Sequence, residues 1–144
     1  MAKSIREAMT ENPRSIGTSG SIVEAARMMR DEHVGSLPVV DEGQLVGMIT
    51  DRDITTRVVA AGSDANSAVV KDHYSPDPVV IDCNATLDDA LQLMAVNHLR
   101  RLPVVEDTRL VGIIAQADYA VEEKEKKTGA LLQAISEAPE TERR

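Results

Sequence analysis

One pattern occurs twice in this chain, in the same register and without a gap. Leu45-Val46-Gly47-Met48-Ile49-Thr50-Asp51-Arg52-Asp53 returns as Leu110-Val111-Gly112-Ile113-Ile114-Ala115-Gln116-Ala117-Asp118, an offset of 65 residues. The same offset pairs Leu37-Pro38-Val39-Val40 with Leu102-Pro103-Val104-Val105, His33 with His98, Met29 with Met94, Ala25 with Ala90, Ile16 with Ile81 and Pro13 with Pro78. A duplication this regular constrains the fold more than any single motif. It calls for one supersecondary unit used twice, each copy burying its apolar face with the help of the other.

Within a copy, the run Leu45, Val46, Met48, Ile49 with a glycine inside it reads as a short buried strand that something approaches closely. Thr50, Asp51 and Asp53 follow at once, and hydroxyl and carboxylate groups at a helix entrance cap free backbone N–H groups. The same two groups at the end of a strand are also suited to gripping the vicinal hydroxyls of a sugar.

Along the chain, Ile5 and Met9 lie one turn apart and predict a short helix over Ala2 to Met9, stopped by Pro13. Ser15-Ile16-Gly17 predicts a weak strand. Ser21 and Glu24 have capping-box spacing before Ile22, Ala25, Ala26 and Met29, which fall on one helix face. Leu37 to Val40 and Leu45 to Ile49 flank the turn Asp41-Glu42-Gly43 as a hairpin, and Asp51 to Ala60 continues as a helix with Ile54 and Val58 on one face. Ala61 to Ala68 reads as a polar connection. The second copy repeats the plan. Val70 and Tyr74 replace Ile5 and Met9, Val79-Val80-Ile81 predicts a stronger strand than its counterpart, Thr86 and Asp89 cap the helix of Leu87, Ala90, Leu91 and Met94, and a last repeat helix runs from Asp118 to about Lys126. Parallel and antiparallel pairing are both needed, so the class is mixed α/β.

These boundaries give a first repeat over 1–60, a linker over 61–68, a second repeat over 69–121 and a charged, partly helical tail over 122–144. The tail carries Leu131, Leu132 and Ile135 as a small amphipathic stretch. It reads either as a helix docked on the body or as a subunit or partner contact.

Composition narrows the function. At 144 residues, 42% hydrophobic and 28% charged, the chain suits one compact domain. No apolar run approaches the roughly 20 residues that span a bilayer, and no apolar signal core follows Met1 to Arg6, so the expected compartment is the cytoplasm. A formal net charge of −8 argues against nucleic-acid and anionic-membrane partners, which need a concentrated basic patch. With no Phe or Trp there is no aromatic platform for unpaired bases. Cys83 is the only cysteine and reads as a small apolar filler. His33 and His98 occupy equivalent helix ends, and His73 has no Cys or His partner at a metal-ligand spacing, so no metal site is expected. Nor do the residues form a nucleophile–base arrangement, a phosphate-cradling glycine loop or a dinucleotide fingerprint, which argues against an enzyme.

A helix capped by Ser or Thr, then x-Leu-Pro-Val-Val, a turn, and Leu-Val-Gly-hydrophobic-Ile-Thr-x-x-Asp resembles the CBS domain, named from cystathionine β-synthase. The resemblance covers about Ile5 to Tyr119, and the Thr-Asp-Arg-Asp-Ile spelling is similar to stand-alone bacterial CBS pairs such as the hypoxic response proteins. It implies two β-α-β-β-α repeats packed about a pseudo-twofold axis, a Bateman module, with two clefts that often hold adenosyl ligands, and a homodimer. Carried onto this sequence, Asp53 accepts from ribose hydroxyls and Thr50 borders the phosphate. Ile16, Leu37 and Pro38 wall the adenine, and Arg100 and Arg101 hold phosphate through charge-assisted contacts. In the second copy Asp118 is the ribose acceptor, supported by Val80 and Ile81.

The copies are not identical. Ala115 replaces Thr50, Gln116 replaces Asp51, and Gly35 and Ser36 stand where Arg100 and Arg101 stand. The expectation is one competent site around Thr50, Asp53 and the arginines, with the second weak or empty. No cofactor is required, and the expected ligand is AMP, ADP, ATP or S-adenosylmethionine. The resulting function is a regulatory sensor read by an unidentified protein partner. The competing readings are a ligand-independent interaction module in which Asp53, Asp118 and Thr50 only cap helices, and, last, an enzyme.

Overall fold

The computed structural model of the chain describes residues 4–118. In chain order it forms α1 (Ile5–Ala8), β1 (Thr10–Glu11), β2 (Ile16–Gly17), α2 (Ile22–Glu32), β3 (Ser36–Asp41), β4 (Gln44–Thr50) and α3 (Asp51–Asp53). A π-helical stretch over Ile54–Val59 and a 3₁₀ turn over Val70–Asp72 follow. Then come β5 (Ser75–Pro76), β6 (Ile81–Asp82), α4 (Leu87–Asn97), β7 (Arg101–Glu106) and β8 (Arg109–Ala115). The class is mixed α/β, as the alternation of periods predicts. The tail over 122–144, and all of the last repeat helix beyond Asp118, lie outside the described residues.

The chain divides into two compact units that do not follow the repeats end to end. One holds 14–78 with 108–110; the other holds the described residues of 4–13, 79–107 and 111–118. The segment before the first repeat's Pro13 therefore packs with the second repeat, and the segment before Pro78 packs with the first.

In the 14–78 unit, β2 lies parallel to β3 with Ile16 opposite Val39, and β3 pairs antiparallel with β4 from Ser36↔Thr50 to Asp41↔Gln44. The two-residue loop Glu42-Gly43 has φ of 52° and 83°, the left-handed pair that a tight hairpin demands. On the other edge of β4, β5 pairs Ser75 with Met48 and Pro76 with Gly47. Ile22, Ala25 and Met29 of α2 meet Leu37, Val39, Ile49, Val58 and Val70 in the core. Each of these side chains except Ala25 contributes about 1.5–3 kcal/mol by its burial.

Ser21 accepts from the Glu24 amide at 3.0 Å, but the expected capping box is only half formed. The backbone of Ser21 instead bridges Val69, and carbonyls of the 61–68 connection reach the helix start: Ile22 N donates to Ala68 O at 2.9 Å and Val23 N to Ala65 O at 3.2 Å. That connection is thus part of the cap, satisfying amides that a helix leaves free.

The second unit is built alike. β6 runs parallel to β7 with Ile81 opposite Val104, and β1 pairs antiparallel with β8 through Thr10↔Ile113 and Glu11↔Gly112. Its core gathers Ile5, Met9, Ile81, Cys83, Leu87, Met94, Leu102, Val104 and Ile114. Thr86 and Asp89 form the full box before α4, and Ser4 and Glu7 form another before α1. Arg6 donates to buried Cys83 Sγ at 2.9 Å and to Glu106 at 2.6 Å.

Three expected elements differ. The counterpart of α1 at Val70–Asp72 is a 3₁₀ turn, not an α-helix. The strand over Val79-Val80-Ile81 is only Ile81–Asp82, no longer than Ile16–Gly17, because β propensity forms no strand without a partner and pairing starts at Ile81. The helix from Asp51 to Ala60 begins as α-helix and turns π-helical at Ile54. Backbone strain repeats with the duplication. All six described non-glycine residues at positive φ form pairs 65 apart: Asn12 with Asp77, His33 with His98, and Glu42 with Asp107.

Candidate functional site

Each repeat brings a carboxylate to the same place, the junction where the second hairpin strand runs into the next helix. In the first, Thr50 ends β4 with extended backbone and Asp53 closes the first turn. Thr50 Oγ1 accepts from Asp53 N at 3.0 Å while Asp53 Oδ2 accepts from Thr50 N at 3.0 Å, a reciprocal capping box. Asp53 is 7% exposed. Its carboxylate has further partners that the sequence reading missed: Ser75 Oγ donates to it, 3.2 Å from Oδ1 and 3.4 Å from Oδ2, and Arg57 Nε forms an ion pair 3.7 Å from Oδ1. The Arg57 spacing of i,i+4 was legible in the sequence. Ser75 was not, because it reaches Asp53 only through the pairing of β5 with β4.

In the second repeat Ala115 offers no hydroxyl, and Asp118 Oδ2 accepts from Ala115 N at 2.9 Å. Asp118 is half-buried, and desolvation raises its pKa above the usual carboxylate value. The Ala115 amide and the charge of Arg101 both pull it the other way without cancelling the rise. Arg101 thus belongs beside Asp118. Arg100, half-buried, accepts at its carbonyl from Gln116 N at 2.8 Å, as Gly35 does from Asp51 N at 2.9 Å. Gln116 Oε1 is buried with no hydrogen-bond partner among the described residues.

The residues expected around adenine divide between the units. Ile16, Leu37 and Pro38 are buried in the first, the Ile16 and Leu37 side chains within the core; in the second Ile81 is core and Val80 half-buried. A hollow of about 300 Å³ lies between α2 and the π-helical stretch, lined by Ala26, Met29, Arg30, Val34, Asp51, Ile54 and Thr55, and neither Thr50 nor Asp53 borders it. Among the described residues, no group of three or more His, Cys, Asp or Glu side chains is placed to hold a metal ion. Among them, too, no helix is long and apolar enough to cross a membrane.

A β-α-β-β-α unit used twice, with an acid at the helix entrance of each copy, defines a tandem-repeat α/β module. The CBS-domain model matches residues 3–60 and 70–122, and the chain belongs to that family. It is 40% identical over 134 residues to the CBS domain-containing protein YhcV of Bacillus subtilis, covering 92% of this chain and 95% of that one. It is 36% identical over 116 residues to Hypoxic response protein 1 of Mycobacterium tuberculosis, covering 80% and 81%. The crystal structure of Hypoxic Response Protein I, with two coordinated zinc ions, superposes with a TM-score of 0.74 at 35% identity over 83% of this chain and 98% of that one. CBSX2 in complex with AMP, a protein of Arabidopsis thaliana, gives 0.73 at 27% identity over 86% and 98%. The CBS pair of MJ0100 with 5-methylthioadenosine and S-adenosyl-L-methionine gives 0.70 at 27% over 88% and 100%.

Proposed function

We propose that this protein is a regulatory module, without catalytic activity, that binds an adenine nucleotide or adenosyl compound through the carboxylates at its strand-to-helix junctions. The observation that carries this reading is the placement of Asp53 and Asp118 at equivalent junctions of a fold that holds AMP in CBSX2. A carboxylate is an acceptor-only group that suits the paired hydroxyls of ribose. Thr50 borders the first acid, and Arg100 and Arg101 supply cations for phosphate. Ile16, Leu37 and Pro38 in one repeat, and Val80 and Ile81 in the other, supply an aliphatic boundary for the base. The working form is a cytoplasmic homodimer whose pose a protein partner reads. Ligand shifts that pose only by its differential affinity for the two states.

The use of Asp53 inside a capping box favours a second reading, a ligand-independent interaction module. Thermal shift and calorimetry with AMP, ADP, ATP, S-adenosylmethionine and NAD separate the two. A ligand at a hundred times its Kd stabilises the fold by about 2.7 kcal/mol. Binding of at least one compound, lost in an Asp53→Asn, Asp118→Asn double variant, is the expected result; no shift with any of them leaves the interaction module.

A further inference from the structure

We propose that Ser75 sets the difference between the two acids: its hydroxyl keeps the Asp53 carboxylate closed to a cis-diol ligand, so that binding at the first repeat requires β5 to release Asp53. This rests on the adenosyl reading above and adds a control to it.

A carboxylate offers about four acceptor positions. At Asp53 the Thr50 amide takes one at 3.0 Å, Ser75 Oγ sits within 3.2 Å and 3.4 Å of the two oxygens, and Arg57 Nε flanks Oδ1 at 3.7 Å. The Thr50 and Ser75 hydrogen bonds leave about two positions unfilled, so it is burial that closes the acid: Asp53 is only 7% exposed, and two ribose hydroxyls reach it only by displacing a group that covers it. The Thr50 amide is fixed by the backbone, and Arg57 is the most distant. Ser75 is therefore the group to be displaced.

Its position is not a side-chain accident. Ser75 is paired with Met48 in β5, and the ring of its neighbour Tyr74 lies against Gly47, where there is no side chain. Displacing the hydroxyl thus pulls on a strand, and that strand belongs to the stretch of chain leading into the second repeat.

The second repeat lacks the hold. Thr10 stands at the equivalent register, paired with Ile113 as Ser75 is with Met48, but it is exposed and gives Asp118 no hydrogen bond among the described residues. One hydrogen bond, from the Ala115 amide, reaches the Asp118 carboxylate among those residues. Among the described residues no side chain has to be released from Asp118 before it meets a diol, the reverse of what Ala115 in place of Thr50 predicts.

Calorimetry of AMP with the full chain tests this in an Asp118→Asn background, where the first acid alone remains. Adding Ser75→Ala should tighten AMP about fivefold, the size of one net hydrogen bond, while Ser75→Thr, which keeps the hydroxyl, should leave affinity unchanged. The gain should vanish when Asp53→Asn is added. Hydrogen exchange gives a second readout: AMP should speed exchange of the 70–77 amides in the Asp118→Asn protein and not once Asp53→Asn is added. If Ser75→Ala binds AMP no better than its parent, the hold is overturned while the adenosyl reading stands. If neither the natural chain nor any variant binds AMP or another adenosyl compound, it is that reading that falls, and the hold with it.

Discussion

The ring of Tyr74 fills the space that a side chain at Gly47 would need: a β-carbon there would lie 2.4 Å from Tyr74 Cδ2 and 2.4 Å from the Ser75 carbonyl oxygen. The relation recurs 65 residues on, where a β-carbon at Gly112 would lie 2.3 Å from Met9 Sδ and 3.0 Å from the Thr10 carbonyl oxygen. The two obstacles differ in stiffness. Backbone and an aromatic ring hold the first, and a flexible thioether the second. Gly47→Ala should destabilise by about 3 kcal/mol, the upper end of overpacking costs, and Gly112→Ala by about 1 kcal/mol. Urea midpoints of the two variants check the order; a larger loss at Gly112 would contradict it.

The capping boxes predict effects of opposite sign. Thr50→Ala removes the acceptor of the Asp53 amide and should cost about 1 kcal/mol. Ala115→Thr places a hydroxyl where Asp118 already accepts from the residue-115 amide, completing the missing half of a box, and should stabilise by about 1 kcal/mol. Denaturant unfolding of both variants checks the pair.

His33 and His98 end their helices in the left-handed region, φ 56° in both, where glycine carries no steric penalty. Their role is to turn the chain, with each backbone N–H returned to the helix. His98→Gly should stabilise by about 0.5–1 kcal/mol and raise Tm by about 2–3 °C. His98→Pro, which cannot take a positive φ, should unfold that end. Thermal denaturation distinguishes them.

Asp118 gives the fold a pH dependence of defined sign. Burial raises its pKa in the folded chain above the unfolded value near 3.8, so above that value the folded state holds more protons than the unfolded state until its own pKa is passed. Stability contributed at this site is therefore greatest below the unfolded pKa, and is lost as pH rises through the folded one. Asp118→Asn removes this loss, and its stability relative to the natural chain should grow from pH 4 to pH 7. A difference that stays constant over that range would show that Asp118 does not titrate this way.

How much of this was legible in advance follows from distance along the chain. The hairpin turn at Glu42-Gly43, the Thr50–Asp53 and Thr86–Asp89 boxes and the faces of α2 and α4 depend on residues within a few positions of one another, and the 65-residue offset let each be read twice. The short β6 was misread because Val79 and Val80 have the propensity for a strand but no neighbour to pair with. Nothing local shows that the segment before Pro13 packs with the second repeat, that Ala65 and Ala68 cap α2, or that Ser75 reaches Asp53. Those contacts join residues far apart in sequence, through backbone pairing that carries no residue code of its own. The chain's text set the repeated unit and the chemistry of each acid, and long-range pairing set that Asp53 is enclosed, because β5 brings Ser75 onto it from 22 residues away.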